Sequence, residues 1–326
     1  MGKKAVIAAF GMNAQRYMGQ DMRENMKFVL SRIDSVKGYH PDLICLPEAC
    51  LFWGGDAANP DPDWAEIYDE YLTECRKRAK AYHTYIITSY YHPAPEYPGH
   101  KYNCGVVIDR NGDVQGVYRK QHVVDYEISG HKVIPVDNSF VFDTDFGKVG
   151  VLICFDIGWR DAWQKMEDDG AQMVVWLSAY DGGNLLNAYA QVHNYYICTA
   201  VRSDHARICD MTGRNIALGA TWNGLAMATI DLSTELFHTD NQAAKIDEIR
   251  AALGDKVTIK AYSQENYFTL ESNDEDWSME RIKKEFGLVN YKDYHASNTA
   301  YQEETKRKYP AKPRLPEKHL KPLIQE

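Results

Sequence analysis

The alternation of short apolar runs with longer helical patterns is the feature that most constrains the fold of this chain. The runs at 4–10, 42–48 and 84–91 are rich in β-branched residues and have the length of buried strands. Between them, the segments 19–37 and 62–82 place apolar residues at helical spacing. This alternation is typical of α/β proteins, in which helices cover the faces of a sheet.

The middle of the chain adds hairpins to this pattern. The segments 102–109 and 114–120 flank an Arg-Asn-Gly turn and predict an antiparallel pair, and two more strands flank the turn at Gly147. Further elements are predicted as a helix at 160–169, a strand at 171–179, a helix at 184–194, a strand at 195–203 and two strands within 214–231. Hairpins combined with strand–helix units indicate mixed sheets rather than purely parallel ones.

The character of the sequence changes at about residue 235. Residues 1–234 carry the strand and helix patterns and are expected to form one domain. Residues 235–326 are more polar, and we interpret them as a C-terminal extension that serves assembly. The last fifteen or so residues have the composition of an extended arm or a frayed tail.

Composition excludes several classes of protein. The formal net charge of -9 argues against nucleic-acid binding, which needs a basic face. No apolar run approaches the roughly 20 residues that a membrane-spanning helix needs, so no membrane partner is expected. The seven cysteines include no Cys-x-x-Cys pair, which disfavours zinc clusters and disulfide scaffolds. Because the N-terminus also lacks a signal-peptide pattern, we expect a cytoplasmic protein with reduced thiols.

Three residues with reactive side chains each follow an apolar strand: Glu48, Lys120 and Cys154. A charged group at the end of a buried strand is costly unless it is paired, so the three are expected to meet. A thiol attacks as the thiolate, and Glu48, with a pKa raised by burial, could accept its proton. Lys120 and the backbone N–H of Phe155 could stabilise an oxyanion. Glu127, seven residues after Lys120, could orient the lysine or the attacking water.

These residues also carry a resemblance to a known family. The motifs Leu-Pro-Glu-Ala at Glu48, Tyr-Arg-Lys-Gln-His at Lys120 and Gly-Val-Leu-Ile-Cys-Phe-Asp at Cys154 resemble the Glu–Lys–Cys signature of the nitrilase superfamily of carbon–nitrogen hydrolases. The resemblance covers residues 4–232. It implies a four-layer αββα sandwich, a homo-oligomer, no metal or other cofactor, and a covalent thioester or thioimidate intermediate.

The resemblance also implies roles for the matching residues. Glu48 matches the general base, Lys120 the oxyanion stabiliser, Cys154 the nucleophile and Glu127 the second glutamate of many members. The pair Phe155-Asp156 after the cysteine favours amidase or carbamoylase chemistry over that of true nitrilases. The expected substrate is therefore a small-molecule amide or N-carbamoyl compound, and nitrile hydrolysis by the same machinery is the alternative.

Four residues are candidates for substrate contacts: Phe155, Trp159, Arg160 and Tyr180. Arg160 could grip a substrate carboxylate with two hydrogen bonds, although a surface arginine at a helix start is the plainer interpretation. Trp159 and Tyr180, like Trp53, follow strand ends and could line a pocket, with core packing as the alternative.

Other classes of protein remain as hypotheses. The strand before Glu48 also resembles the metal-binding strand of the endonuclease/exonuclease/phosphatase family, with the segment 203–205 as its closing Ser-Asp-His motif, but the chain lacks that family's Gly-Asp-x-Asn motif. In a Cys–His enzyme, His193 or His205 would activate Cys154. A non-enzymatic binding protein on the same fold is disfavoured, because Glu48, Lys120 and Cys154 are all retained.

Overall fold

The computed structural model describes residues 4–17, 19, 21–52 and 63–311. The chain divides into two compact units, Gly2–Ser233 and Thr234–Glu326. The strands of the larger unit are β1 (Lys4–Phe10), β2 (Leu43–Cys45), β3 (Tyr85–Pro93), β4 (Lys101–Ile108), β5 (Val114–Arg119), β6 (Val141–Thr144), β7 (Gly147–Ile153), β8 (Met173–Ser178), β9 (Tyr196–Val201), β10 (Arg207–Cys209), β11 (Asn215–Leu218) and β12 (Leu225–Asp231). Its helices are α1 (Ala14–Tyr17), α2 (Met22–Ser35), α3 (Trp64–Tyr82), α4 (Asp125–Ser129), α5 (Arg160–Asp168) and α6 (Asn184–His193).

The strands of the larger unit form two mixed six-stranded sheets. The first has the order β12-β1-β2-β3-β4-β5, and the second has the order β11-β10-β9-β8-β7-β6. Strands β1, β2 and β3 run parallel in the first sheet, as do β7, β8 and β9 in the second, and the flanking strands are antiparallel. The parallel centres with antiparallel edges confirm the mixed sheets that the sequence predicts.

The two sheets pack face to face. The sulfur atoms of Cys45 on β2 and Cys198 on β9 lie 3.7 Å apart across the interface. A Cβ atom at Gly105 on β4 would lie 2.9 Å from the Val151 side chain on β7, so only glycine fits this close approach. Strands β7, β8 and β9 consist almost wholly of buried residues, as expected of strands covered on both faces.

Helices cover the outer faces of both sheets. Helix α2 begins at the cap Asp21, whose side chain accepts from the backbone N–H groups of Arg23 and Glu24. Its buried face joins α3 and the first sheet in one apolar core. On the second sheet, a Cβ atom at Gly150 of β7 would lie 2.6 Å from the sulfur of Met166 on α5. The layers are therefore helix, sheet, sheet and helix, which confirms the predicted four-layer αββα sandwich.

The elements differ from the prediction mainly where they are short. The strand expected at 42–48 is hydrogen-bonded over three residues, Leu43–Cys45, and the chain then turns toward Glu48. The three-residue strand β10 was not predicted, because so short a run has no readable periodicity.

The smaller unit contains a three-stranded antiparallel sheet and three helices among its described residues. Its strands are β13 (Glu235–His238), β14 (Val257–Tyr262) and β15 (Tyr267–Ser272), and its helices are α7 (Lys245–Leu253), α8 (Met279–Phe286) and α9 (Tyr291–Lys308). A separate apolar core includes Phe237, Phe268 and Ile282. None of these elements is among those predicted from the sequence, although the apolar residues of the almost wholly buried β15 were a usable signal.

Part of the predicted C-terminal extension lies outside the described residues. The expected arm at the end of the chain falls largely within 312–326, and Trp53 also lies outside the described part. The division of the chain after Ser233 falls one residue before the predicted boundary. The assembly role of the extension stays a prediction. Among the described helices, none is both long enough and apolar enough to cross a membrane.

Candidate active site

Three strand ends deliver the predicted reactive residues to one place. Glu48 lies three residues beyond β2, and Lys120 directly follows β5 in the same sheet. Cys154 directly follows β7 of the facing sheet. The structure brings the three together with Glu127, and all four side chains are buried.

Lys120 lies between two carboxylates. Its Nζ donates to Oε1 of Glu48 at 2.9 Å and to Oε2 of Glu127 at 2.8 Å. The lysine is 1% exposed, and the two glutamates are 3% and 5% exposed. Ion pairs removed from water in this way are held far more rigidly than pairs at the surface, because each charge depends on its partners. The ammonium position is therefore fixed.

The pKa values of the pair reflect mutual stabilisation. Burial lowers the pKa of Lys120, but the charges of Glu48, Cys154 and Glu127 outweigh burial and raise the pKa well above its usual value. Burial raises the pKa of Glu48, and the charges of Lys120 and Arg202 reverse this effect and lower it below its usual value. The sequence expectation of a raised Glu48 pKa is therefore wrong, because burial was considered without the neighbouring cations.

Glu127 lies in the short helix α4 that follows the lysine. Its Oε2 atom accepts the backbone N–H of Val124 at 3.1 Å as well as the Lys120 ammonium. A carboxylate at the first turn of a helix satisfies a backbone donor that has no partner within the helix. The local chain therefore holds Glu127 in place independently of Lys120.

Cys154 is placed by a strained turn at the end of β7. Its backbone φ is 45°, a left-handed value that residues other than glycine seldom adopt. The Cys154 carbonyl accepts the indole N–H of Trp176 at 3.1 Å, which fixes the turn from the neighbouring strand. The thiol lies close enough to Glu48 for each group to influence the pKa of the other.

The Cys154 thiol is neutral in the resting site. Burial raises its pKa to about 12, and the charge of Glu48 adds to this increase. Lys120 and hydrogen bonds from Ala179 and Ser178 act in the opposite direction but do not outweigh burial. A separate thiolate beside the Glu48 carboxylate is therefore disfavoured before a substrate arrives.

Two residues that the sequence analysis missed also contact or influence Glu48. The side-chain amide of Asn103 donates to Oε1 of Glu48 at 2.8 Å. The charge of Arg202, which follows β9, lowers the pKa of Glu48, and its guanidinium donates to the carbonyl of Phe52 at 3.0 Å. A fully buried asparagine within the apolar strand β4 was a usable signal for Asn103, whereas Arg202 is brought near only by the packing of the sheets.

Three of the four expected substrate-contact residues lie beside the buried cluster. Phe155 directly follows Cys154, and its ring meets that of Trp159 edge to face at 5.0 Å. The pKa of Tyr180 is raised to about 12 by burial and then by the charges of Cys154 and Glu48, so these groups lie within electrostatic range of one another. Arg160 is exposed at the first residue of α5, where its charge acts on Tyr189. Their roles in binding stay predictions.

The structure gives the two candidate histidines other partners. The Nδ1 atom of His193 lies 2.8 Å from Glu167, and that of His205 lies 2.8 Å from Asp181. A divalent cation at Glu48, as in the metal-dependent alternative, would lie against the Lys120 ammonium. The geometry thus favours neither the Cys–His nor the metal-dependent alternative.

Comparisons with known proteins agree with this geometry. Residues 6–235 match the family model described as carbon-nitrogen hydrolase. A probable nitrilase of Schizosaccharomyces pombe is 30% identical over 234 residues, which are 65% of this chain and 84% of that protein. The deaminated glutathione amidase of Bos taurus is 27% identical over 157 residues, which are 40% of this chain; the chain thus spans about half, 48%, of that relative. The chain belongs to the carbon–nitrogen hydrolase family of the nitrilase superfamily.

A solved structure shows the same fold. It is a variant of the amidase from Nesterenkonia sp. AN1, with covalent addition of the acetamide moiety of fluoroacetamide at its active-site cysteine. The identity is 18% and the TM-score is 0.63, with 78% of this chain and 97% of that chain covered. This likeness supports the αββα architecture.

Proposed function

We propose that this protein hydrolyses the carbon–nitrogen bond of a small amide or N-carbamoyl compound through a thioester on Cys154. The observation that carries the proposal is the Lys120 ammonium, held between Glu48 and Glu127 next to a buried thiol. A neutral thiol, a base beside it and a fixed cation are the groups that acyl transfer needs. The covalent adduct at the cysteine of the Nesterenkonia amidase supports the same role for Cys154.

In the first half-reaction, the Cys154 sulfur attacks the substrate carbonyl carbon while Glu48 takes the thiol proton. The raised pKa of Cys154 and the lowered pKa of Glu48 favour proton transfer that occurs together with bond formation, not before it. Lys120 and the backbone N–H of Phe155 stabilise the oxyanion. The carbon–nitrogen bond then breaks, Glu48 returns the proton to the leaving nitrogen, and the thioester remains.

In the second half-reaction, water attacks the thioester carbon while Glu48 takes one of its protons. The carbon–sulfur bond breaks, the acid leaves and the Cys154 sulfur recovers a proton from Glu48. Glu127 keeps the Lys120 ammonium in place in both halves, because it contacts the lysine but not the thiol in the described contacts. Metal and redox cofactors have no part in this sequence of steps.

An amide or N-carbamoyl substrate is preferred over a nitrile. The support is the Phe155-Asp156 pair after the nucleophile and the amidase names of the Bos taurus and Nesterenkonia proteins. Nitrile hydrolysis would use the same groups and pass through a thioimidate. Phe155, Trp159 and Tyr180 would line the acyl pocket, with Arg160 available to a substrate carboxylate.

Ammonia release measures this activity directly. The panel contains aliphatic primary amides, monoamides of dicarboxylic acids, N-carbamoyl amino acids and nitriles, each tested with Cys154→Ala. Cys209→Ala serves as the matched control, because Cys209 is a buried thiol on β10 away from the strand ends of the site. We expect turnover of at least one amide or carbamoyl compound, lost in Cys154→Ala and kept in Cys209→Ala. Turnover that survives Cys154→Ala would contradict the proposed nucleophile.

We further propose that the protein is a cytoplasmic homo-oligomer. Val192 on α6 and Leu218 on β11 are apolar side chains exposed by 69% and 61% in the single chain, which supports a covering surface from a second copy. All seven cysteines are free thiols, as is usual in a reducing compartment. The solution mass of the full chain, compared with a chain lacking residues from 306 onward, tests the assembly and the role of the tail.

A further inference from the structure

Asp156 is a fully buried carboxylate that touches the chain on both sides of the site. Its Oδ1 accepts the backbone N–H of His122 and the His122 ring nitrogen Nδ1, each at 2.9 Å. Its Oδ2 accepts the Tyr118 hydroxyl at 2.7 Å and the backbone N–H of Ile153 at 2.9 Å. Tyr118 and His122 lie two residues before and after Lys120, and Ile153 directly precedes Cys154.

We propose that Asp156 is a positioning residue that fixes Cys154 of one sheet relative to Lys120 of the other. The inference rests on the proposed function, because it assigns a purpose to the alignment of these two groups. Four donors on one carboxylate, with a side chain that is 0% exposed, leave it little freedom to move. A displacement of the segment 118–122, which carries Lys120, is thereby transmitted to the turn at Cys154.

The turn itself is held by further bonds that make Asp156 a rigid point. The Asp156 carbonyl accepts the indole N–H of Trp163 at 3.2 Å and the backbone N–H of Trp159 at 3.1 Å. The ring of Trp159 stacks on that of His122, with centroids 4.1 Å apart and an interplanar angle of 12°. The segment 118–122 and the turn at Cys154 therefore meet through the Asp156 carboxylate and the stacked rings of His122 and Trp159.

The arrangement needs a carboxylate rather than an amide. An asparagine offers one acceptor oxygen and one NH₂ donor, whereas the site presents backbone N–H groups on both sides. In Asp156→Asn, the NH₂ group would face either the N–H of His122 or that of Ile153. One side of the bridge would then lose its backbone hydrogen bond and keep an unsatisfied buried N–H donor.

The experiment compares Asp156→Asn with Asp231→Asn. Asp231 is also a buried aspartate of the larger unit, and its Oδ1 accepts the backbone N–H and the hydroxyl of Ser233. Two properties are measured on the full chain: the rate of Cys154 alkylation by iodoacetamide, followed on the peptide that contains Cys154, and kcat and KM for the best amide. Thermal unfolding reports the structural cost of each variant.

For a misplacement of about 1 Å, we expect a loss of about 100-fold in kcat, with KM much less affected. The alkylation rate of Cys154 should fall about 10-fold or more, because a thiol displaced from the Lys120 ammonium loses the positive charge that lowers its pKa. Asp231→Asn should leave both rates within about 2-fold even where its stability falls similarly. Alkylation in Asp156→Asn that is unchanged or faster, at a folded fraction equal to that of the control, overturns the proposal.

A double variant covers the case in which Asp156→Asn does not fold. Tyr118→Phe with His122→Phe removes the two side-chain donors, keeps both backbone donors and retains an aromatic ring against Trp159. A loss of about 10-fold in alkylation supports the proposal, and an unchanged rate overturns it. Alkylation needs no amide hydrolysis, so a wild-type protein that hydrolyses none of the panel refutes the proposed function while the alkylation result still decides the role of Asp156.

Discussion

The Nζ atom of Lys120 lies 2.9 Å from Oε1 of Glu48, and neither residue is more than 3% exposed. With Glu127 at 2.8 Å from the same ammonium, the cluster holds one positive and two negative charges out of water. Such a cluster is stable only while all its members are present, since each one compensates the desolvation of the others. The same relationship therefore determines both the proposed chemistry and the response of the fold to mutation.

Replacing the lysine should destabilise the whole protein. In Lys120→Met, the carboxylates of Glu48 and Glu127 stay buried without their cation, and we expect a loss of about 3–5 kcal/mol in the free energy of unfolding. Urea denaturation measures this loss. Lys148→Met is the control, because Lys148 pairs with Asp143 at 3.4 Å on the exposed surface and should change stability by less than about 1 kcal/mol. Equal effects of the two substitutions would contradict a tightly coupled buried cluster.

The thiol of Cys154 should make the fold sensitive to alkaline pH. Its pKa is raised from 9.0 to about 12, so between these values the unfolded chain loses a proton that the folded chain keeps. The folded state binds more protons, and stability therefore falls as pH rises through this window, by roughly 1.4 kcal/mol per pH unit for one group. The unfolding free energy of Cys154→Ala should fall less steeply between pH 9 and pH 11. Parallel curves for the two proteins would show that the thiol is not held neutral.

Removing the charge of Glu48 should lower the pKa of Cys154. The negative carboxylate raises this pKa and the Lys120 ammonium lowers it. In Glu48→Gln the thiolate keeps the neighbouring cation and loses the neighbouring anion, so it forms at a lower pH. Thiolate absorbance during a pH titration, with Cys154→Ala subtracted, measures the change. Glu74→Gln, at a partly buried position of α3 where Glu74 pairs with Lys77, should leave the titration of Cys154 where it is in the wild type. A Glu48→Gln titration that moves to higher pH would argue against close approach of Glu48 and Cys154. Turnover should be lost in the same variant, so the Cys154 thiol ionises more readily while the activity falls.

Because the backbone of Cys154 is left-handed, the usual order of stability, in which an alanine variant is more stable than a glycine variant, should be reversed at this position. At ordinary positions glycine is less stable than alanine by roughly 0.5–1 kcal/mol. At φ 45° an alanine side chain is strained, so Cys154→Gly should unfold at a temperature at least as high as Cys154→Ala. Differential scanning calorimetry of the two inactive variants gives the comparison. A clear advantage for alanine would mean that the turn is not strained at this residue.

The smaller unit should depend on its own core. Phe268 on β15 is completely buried in that core, and Phe268→Ala should cost about 3–5 kcal/mol. Tyr301→Ala, which changes an aromatic side chain that is 71% exposed on α9, should change stability by less than about 0.5 kcal/mol. Chemical denaturation followed by tryptophan fluorescence and circular dichroism measures both. Similar small effects of the two substitutions would show that the residues from Thr234 onward do not form a packed core.

The sequence predicts the larger unit well because its central strands, such as β8 and β9, are buried on both faces and leave a strong apolar signal. The ends of β2, β5 and β7 also give the positions of Glu48, Lys120 and Cys154, since a charged or reactive residue after an apolar run is conspicuous. The contacts of Asp156 could not be predicted in this way. They join segments that are 34 and 38 residues apart in sequence, and only the packing of the two sheets makes them neighbours.

The error in the predicted pKa of Glu48 has a related cause. Burial can be inferred from an apolar strand, but at Glu48 it is outweighed by the charge of Lys120 and then by that of Arg202, which follows β9 of the other sheet. The elements of the smaller unit were missed for a different reason. In β14, Val257, Ile259 and Ala261 alternate with polar or aromatic residues, a strand signal that was overlooked within the generally polar C-terminal segment.

The position of Cys154 opposite Lys120 and Glu48 has a consequence for folding. Glu48 and Lys120 follow strands of one sheet, and Cys154 follows a strand of the other. A chain in which only one sheet has formed therefore has either the thiol or its base in place, but not both. Catalytic competence arises at the moment the two sheets dock. The return of activity during refolding therefore reports that docking separately from the return of helix and strand, and incompletely assembled chains lack the proposed activity.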